Sequence, residues 1–238
     1  MVASGLPEEA GAVAQWLYRF GTVPRGPAID RDFGPDDDPM AVLGMTVGGG
    51  ARRLLETAYE ATSLSGWYSF ARAPCRALFA AACKLYVSPR PEALAGAFPR
   101  IVDELVRSEV RSFKVGRGIE GLLRPDKIVA YFEDRAHMEA VAAALDRALL
   151  GCPAQGVPFT TEAGGNGLLS SGVDPPPGNT ATSWRSWVTK RLAASLTAQR
   201  ATPREDPVAA ALADIRLAGV DPERWLPNAD AFRDESLP

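Results

Sequence analysis

Lys84, Lys114 and Lys127 offer the plainest chemistry in this chain. Of its 26 lysines and arginines, only four are lysines: Lys84, Lys114, Lys127 and Lys190. Three of the four sit in predicted strands. Arginine stays protonated in proteins, whereas a buried lysine can lose its proton and act as a base. A strand lysine in an arginine-rich chain therefore suggests a role that arginine cannot fill. The competing reading is a lysine snorkelling from a sheet edge. Between Lys114 and Lys127 lie Gly116, Arg117, Gly118, Gly121 and Arg124-Pro125-Asp126. Lysine and arginine concentrated this closely suit an anion such as phosphate.

The elements that position these residues follow from side-chain alternation. Residues 111–132 read as two short strands joined by a Gly-rich turn, the first over 111–115 and the second over 127–132. Strand side chains alternate between faces. Ser112 and Lys114 therefore share a polar column, opposite Phe113 and Val115. Lys127, Val129 and Tyr131 share another, opposite Ile128, Ala130 and Phe132. The run KLYVS at 84–88 is a third strand, with Lys84, Tyr86 and Ser88 on one face.

Around these strands the pattern is mixed. Helices are expected over 7–20, 51–63, 89–108, 134–150, 183–199 and 208–217. The first should turn Val13, Trp16, Leu17 and Phe20 to one face. Pro99 should kink or split the third, and Asp134 should cap the fourth, ended by Gly151. Residues 67–71 and 157–161 are candidate strands, and 168–171 is a candidate short one. Residues 75–82 fit either helix or strand. Residues 21–50 read as loop. Residues 162–183 hold five glycines and three consecutive prolines, which marks a long irregular loop. The end, DPERWLPNADAFRDESLP, is polar and reads as a docking or disordered segment. The fold class is α+β: a central mixed or antiparallel sheet of about five or six strands with surrounding helices. The expected division is an N-terminal helical segment over 1–64, a core over 65–200, and a C-terminal helix and tail over 201–238.

Composition excludes several classes of function. A net charge of −3 argues against non-specific nucleic-acid binding. No run of eighteen apolar residues exists, so no transmembrane helix is expected, and the N-terminus lacks the pattern of a signal peptide. Cys75, Cys83 and Cys152 have neither metal nor disulfide spacing and read as small hydrophobes of a cytoplasmic protein. The one histidine, His137, sits in the first turn of a helix and reads as a surface or cap-proximal residue. Asp36–Asp38 lacks the spaced oxygen ligands of a calcium loop. Gly48-Gly49-Gly50 is not a phosphate-binding P-loop, because no Gly-Lys-Ser/Thr follows.

The KLYVS strand, Lys114 thirty residues on, Arg124 and Tyr131 together resemble bacterial phosphothreonine lyases. Those effector enzymes carry a Lys-x-His-x-Ser strand, then a basic lysine and a phosphate-binding arginine. The stretch SFKVGRGIEGLLRPDKIVAYF, followed by GVPFT and by GLLSSGVDPP ahead of a helix, is similar to HopA-type effector-like proteins. Relatives of that group occur in gene clusters that make lanthipeptides and thioamide peptides. The resemblance covers roughly residues 65–200. It implies cofactor-independent β-elimination of phosphate from phosphoserine or phosphothreonine in a precursor peptide. Under it, Lys114 is the base and Lys84 polarises the peptide carbonyl. Arg124 and Arg185 bind phosphate, aided by Lys127 and Tyr131. Tyr86 stands where the family has its general-acid histidine, so Tyr86 or Lys84 must protonate the leaving phosphate, or the phosphate leaves without full protonation. The partners implied are the phosphorylated peptide and a peptide kinase. The alternative is a non-catalytic phosphopeptide-binding subunit that serves such a kinase.

Overall fold

The computed structural model describes residues 9–33, 39–73, 83–176, 182–201 and 206–228. The Asp36–Asp38 run and the ambiguous 75–82 segment lie outside them.

In chain order the elements are α1 (Ala10–Arg19), α2 (Pro27–Phe33), α3 (Pro39–Val42), α4 (Gly50–Ala58), β1 (Glu60–Leu64), β2 (Trp67–Ala71) and β3 (Cys83–Val87). A 3₁₀ turn at Pro91–Ala93 leads into α5 (Leu94–Arg107), followed by β4 (Ser112–Gly116), α6 (Gly118–Leu122), β5 (Ile128–Phe132) and α7 (Arg135–Ala148). Then come β6 (Thr161–Glu162), β7 (Leu169–Gly172), α8 (Trp184–Ala201), α9 (Pro207–Leu217), β8 (Val220–Asp221) and β9 (Leu226–Pro227). The α+β class stands. Among the described residues the main sheet has seven strands, rather than about five or six, in the order β1-β2-β4-β5-β3-β7-β6.

The chain divides into two compact units, one of Met1–Phe20, Pro158–Thr161 and Gly172–Pro238, the other of Gly21–Val157 and Glu162–Ser171. In the first, α8 packs against both α1 and α9. Trp184 and Trp187 stack at 5.5 Å within a core shared with Leu192 and Ile215. Val13 is buried, but Trp16 and Phe20 are 52% and 58% exposed, so the face expected to bury all of them does not. The polar end expected to be irregular starts as a two-stranded hairpin, β8-β9.

The second unit holds the sheet's central strands. Phe70, Leu85, Val87, Phe113, Val115, Ile128, Ala130 and Phe132 fill one large core with α5 and α7. Burying a side chain of this size is worth about 1.5–3 kcal/mol. Asp134 caps α7 as expected, its carboxylate accepting from the His137 amide at 2.7 Å. His137 is structural: its Nε2 meets the Ser108 carbonyl at 2.8 Å and its ring stands edge-on to Phe132. The α5 helix runs unbroken through Pro99 after the 3₁₀ turn.

Four further expectations are corrected. Residues 60–64 are strand, not the end of a helix, because they pair in a hairpin with β2 through Gly66 at φ 75°. The loop over 21–50 contains α2 and α3. Residues 157–161 form no strand beyond Thr161, because Gly156 and Phe159 take positive φ and turn the chain. The link between β4 and β5 is a short helix, not only a turn. That helix folds tightly back, since a Cβ on Gly116 would stand 2.3 Å from the Gly121 carbonyl oxygen.

Among the described residues, no helix is long and apolar enough to cross a membrane. Cys83 is buried and Cys152 half-buried, both as free thiols, and Cys75 lies outside the described residues.

Candidate active site

The strands β2, β4, β5 and β3 are neighbours, and all their named pairings are antiparallel. Their registers decide what shares the face opposite the large core. Lys84 lies across from Tyr131, and Tyr131 lies across from Ser112. Tyr86 and Lys114 both lie across from Val129, and Ser69 lies across from Lys114. With period-2 alternation, Lys84, Lys114, Tyr86 and Tyr131 therefore project from one face of three adjacent strands. A small apolar patch of Tyr86, Val129, Tyr131 and Val157, with Trp67 packed on it, floors that face.

Aromatic rings hold the cations. Lys114 Nζ lies 4.2 Å from the Trp67 ring centroid and 5.7 Å from that of Tyr131. Lys84 Nζ lies 5.6 Å from the Tyr131 centroid. The Arg124 guanidinium lies 4.9 Å from the Trp67 centroid. Cation–π contacts are worth about 0.5–2 kcal/mol, more where water is excluded. The site thus gathers Lys84, Lys114 and Arg124 around Trp67 and Tyr131. Arg124 is paired with Asp126 two residues on. Its Nε and Nη2 donate to the two carboxylate oxygens of Asp126, both at 2.9 Å. That bidentate clasp fixes the plane of the guanidinium.

Two other candidates are differently placed. Lys127 precedes β5 and is fully buried, with Nζ donating to the Pro89 carbonyl at 2.8 Å and to Gln155 Oε1 at 2.6 Å. Burial, partly offset by Asp126 and Glu92, lowers its pKa to about 7. Fully buried and held by two acceptors, this lysine closes the packing between chain segments and does not reach the face that carries Lys84 and Lys114. Arg185 belongs to the first unit, where its Nε donates to the Pro158 carbonyl and its Nη2 to the Tyr18 carbonyl, over the Tyr18 ring.

A polar knot anchors the Arg124 segment. Ser88 Oγ donates to the Pro125 carbonyl at 2.6 Å. Gln155 Nε2 reaches the carbonyls of Gly21 and Leu123 at 2.7 Å and 3.0 Å. Sequence reasoning missed Trp67, Ser69, Asp126 and Gln155. Alternation in residues 67–71 pairs Trp67 with Ser69, but only strand pairing tells that their side carries Lys114. Among the described residues no group of three or more His, Cys, Asp or Glu side chains could hold a metal ion.

Chemically, a lysine amine beside a second lysine, an arginine and a tyrosine can abstract a proton and stabilise negative charge. A multiply charged anion suits the same cluster.

No protein-family model matches the chain, and neither does any curated protein. Among solved structures, the effector protein from Pseudomonas syringae pv. tomato strain DC3000 aligns over 96% of this chain and 94% of its own, at TM-score 0.54 and 13% identity. The effector protein from Pseudomonas syringae pv. syringae strain 61 aligns over 92% and 89%, at TM-score 0.53 and 12% identity. The type III effector and phosphothreonine lyase OspF from Shigella flexneri aligns over 59% and 82%, at TM-score 0.43 and 11% identity. The likeness to the two Pseudomonas effectors is one of fold.

Proposed function

We propose that this chain is a lyase that eliminates phosphate from phosphoserine or phosphothreonine in a peptide. One observation carries the reading: Lys84, Lys114 and Tyr131 share one face of adjacent strands, and Arg124 meets Lys114 at the Trp67 ring. In the reaction, neutral Lys114 takes the Cα proton. The electron pair of the C–H bond forms the Cα=Cβ bond, and the Cβ–O bond breaks. Phosphate departs with its oxygen, leaving dehydroalanine or dehydrobutyrine. Lys84 stabilises the enolate that develops at the peptide carbonyl, and Arg124 binds the phosphate. The reaction is the one named for the Shigella protein, but the support for it here comes from this chain's own residues.

The finer assignment rests on the resemblance of residues 65–200. It gives the substrate as the precursor of a ribosomally made peptide natural product, phosphorylated in the cytoplasm by a partner kinase. A second reading has its own observation. Tyr86 occupies the strand position of the family's acid and is only 3% exposed, packed with Val129 and Val157. A phosphopeptide-binding subunit without catalysis would tolerate that.

Mass spectrometry of a phosphothreonine peptide incubated with the protein alone separates the two. Loss of the elements of phosphoric acid is the expected result. A peptide retained but unchanged would replace the lyase by the binding subunit. A peptide that regains its hydroxyl would mean hydrolysis and would sink both.

A further inference from the structure

We infer that Trp67 is a positioning residue that joins the base to the anion site, holding Lys114 and Arg124 against one indole and favouring the protonated form of Lys114. Its kinetic consequences rest on the lyase reading, whereas its physical consequences do not.

Among the described residues the indole has two cationic neighbours, Lys114 Nζ at 4.2 Å and Arg124 Cζ at 4.9 Å. Those cations come from different elements, β4 and the segment after α6. Trp67 sits on β2, diagonal to Lys114, because its register partner is Gly116. Diagonal neighbours on one face are within reach of an aromatic side chain. The close approach of Gly116 and Gly121 turns α6 back on the end of β4. Asp126 then fixes the Arg124 guanidinium in its plane.

The sign of the effect follows from the groups around Lys114. Lys84 on β3 and Arg124 are cations, and they disfavour a third positive charge. Asp126 favours it, as do the faces of Trp67 on β2 and Tyr131 on β5. Ser69, across from Lys114 on β2, is uncharged. A base must be neutral to start the reaction, yet basic enough to take the proton. Trp67 opposes the two cations and keeps the amine basic. Without the ring this opposition is lost, and Lys114 loses its proton at lower pH.

The chain's four lysines make this directly measurable. Carbon-13 labelling of lysine gives few side-chain signals, and Lys114→Arg identifies the one from Lys114. In Trp67→Leu the Lys114 titration midpoint should fall by about 0.5–1.5 pH units. In Trp67→Phe, which keeps a weaker ring, the fall should be smaller. Inorganic phosphate should also bind more weakly to Trp67→Leu, since Arg124 loses its support. An unchanged Lys114 midpoint in folded Trp67→Leu would overturn the inference. Should that variant not fold, Trp67→Phe decides alone: a midpoint below wild type supports the ring's role, and an unchanged one removes it. Wild-type protein that binds phosphate but never eliminates it would refute the lyase reading and leave this test intact.

Discussion

Lys127, fully buried, donates from Nζ to Gln155 Oε1 at 2.6 Å. The same Gln155 reaches Gly21 and Leu123 through its other amide atom. A buried amine and a half-buried amide thus tie together segments far apart in sequence.

Stability should therefore depend on pH in a specific direction. The folded-state pKa of Lys127 is lowered from 10.5 to about 7. Between those values the unfolded chain holds a proton that the folded chain does not. Stability then rises with pH across this window, by about 1.4 kcal/mol per unit. Below about pH 7 both states are protonated and the full cost of burying the charge is present. Urea unfolding at pH 7 and pH 9 tests this against Lys127→Met. Wild type should gain about 2 kcal/mol relative to the variant over that interval. Equal pH dependence in the two proteins would show that Lys127 keeps its charge when folded.

The Arg124–Asp126 clasp should behave as a coupled unit. Asp126 is 5% exposed, and its oxygens accept from Arg124. Arg124→Ala removes the bidentate cationic partner of a buried carboxylate, which should cost about 1–3 kcal/mol given that the arginine side of the pair is partly exposed. Asp126→Ala should cost less, because the arginine can turn to water. The double variant should be more stable than Arg124→Ala alone. Additive losses in a double-mutant cycle would mean that the clasp does not couple the pair.

Ser69 gives a test of a different kind. Its hydroxyl is buried and has no hydrogen-bond partner among the described residues. A buried hydroxyl left unpaired costs about 1–3 kcal/mol. Ser69→Ala should therefore leave the thermal midpoint unchanged or raise it. A clear fall in the midpoint would mean that the hydroxyl is paired in the protein after all.

Much of this architecture is local and could be read directly. Asp134 caps α7 because an aspartate ahead of an apolar-periodic run accepts from the first-turn amides. The faces of β3, β4 and β5 follow from alternation, and that alternation set Lys84, Lys114 and Tyr131 on their polar columns. What could not be read depends on contacts distant in sequence. Glu60–Leu64 has helix formers at Glu60, Ala61 and Leu64, yet pairing with β2 makes it a strand. Alternation also put Lys127 in the polar column with Tyr131. There, the carbonyls of Pro89 and Gln155 claim its amine, and nothing near Lys127 in the sequence announces them. Trp67 was legible as a strand residue and not as part of the site, because its role depends on which strand β2 joins.

The most decisive prediction concerns Lys114 itself. If its amine is the base, Lys114→Ala should lower elimination by about 10²–10⁴-fold, the range for general acid–base catalysis. Phosphopeptide binding should largely persist, since Arg124 and Lys84 remain. Arg124→Ala should show the reverse pattern, with weaker binding as its main effect. Lys114→Arg separates a base from a positive charge. A guanidinium cannot take a proton at neutral pH, so this variant should be nearly as inactive as Lys114→Ala. Phosphate release from a phosphothreonine peptide, followed across a pH series, reads all three variants. In wild type the rate should climb as the amine of Lys114 becomes neutral, and Lys114→Ala should lose that climb. Near-normal turnover by Lys114→Arg would remove Lys114 as the base. The role would then pass to Lys84, whose amine lies 5.6 Å from the Tyr131 ring on the neighbouring strand.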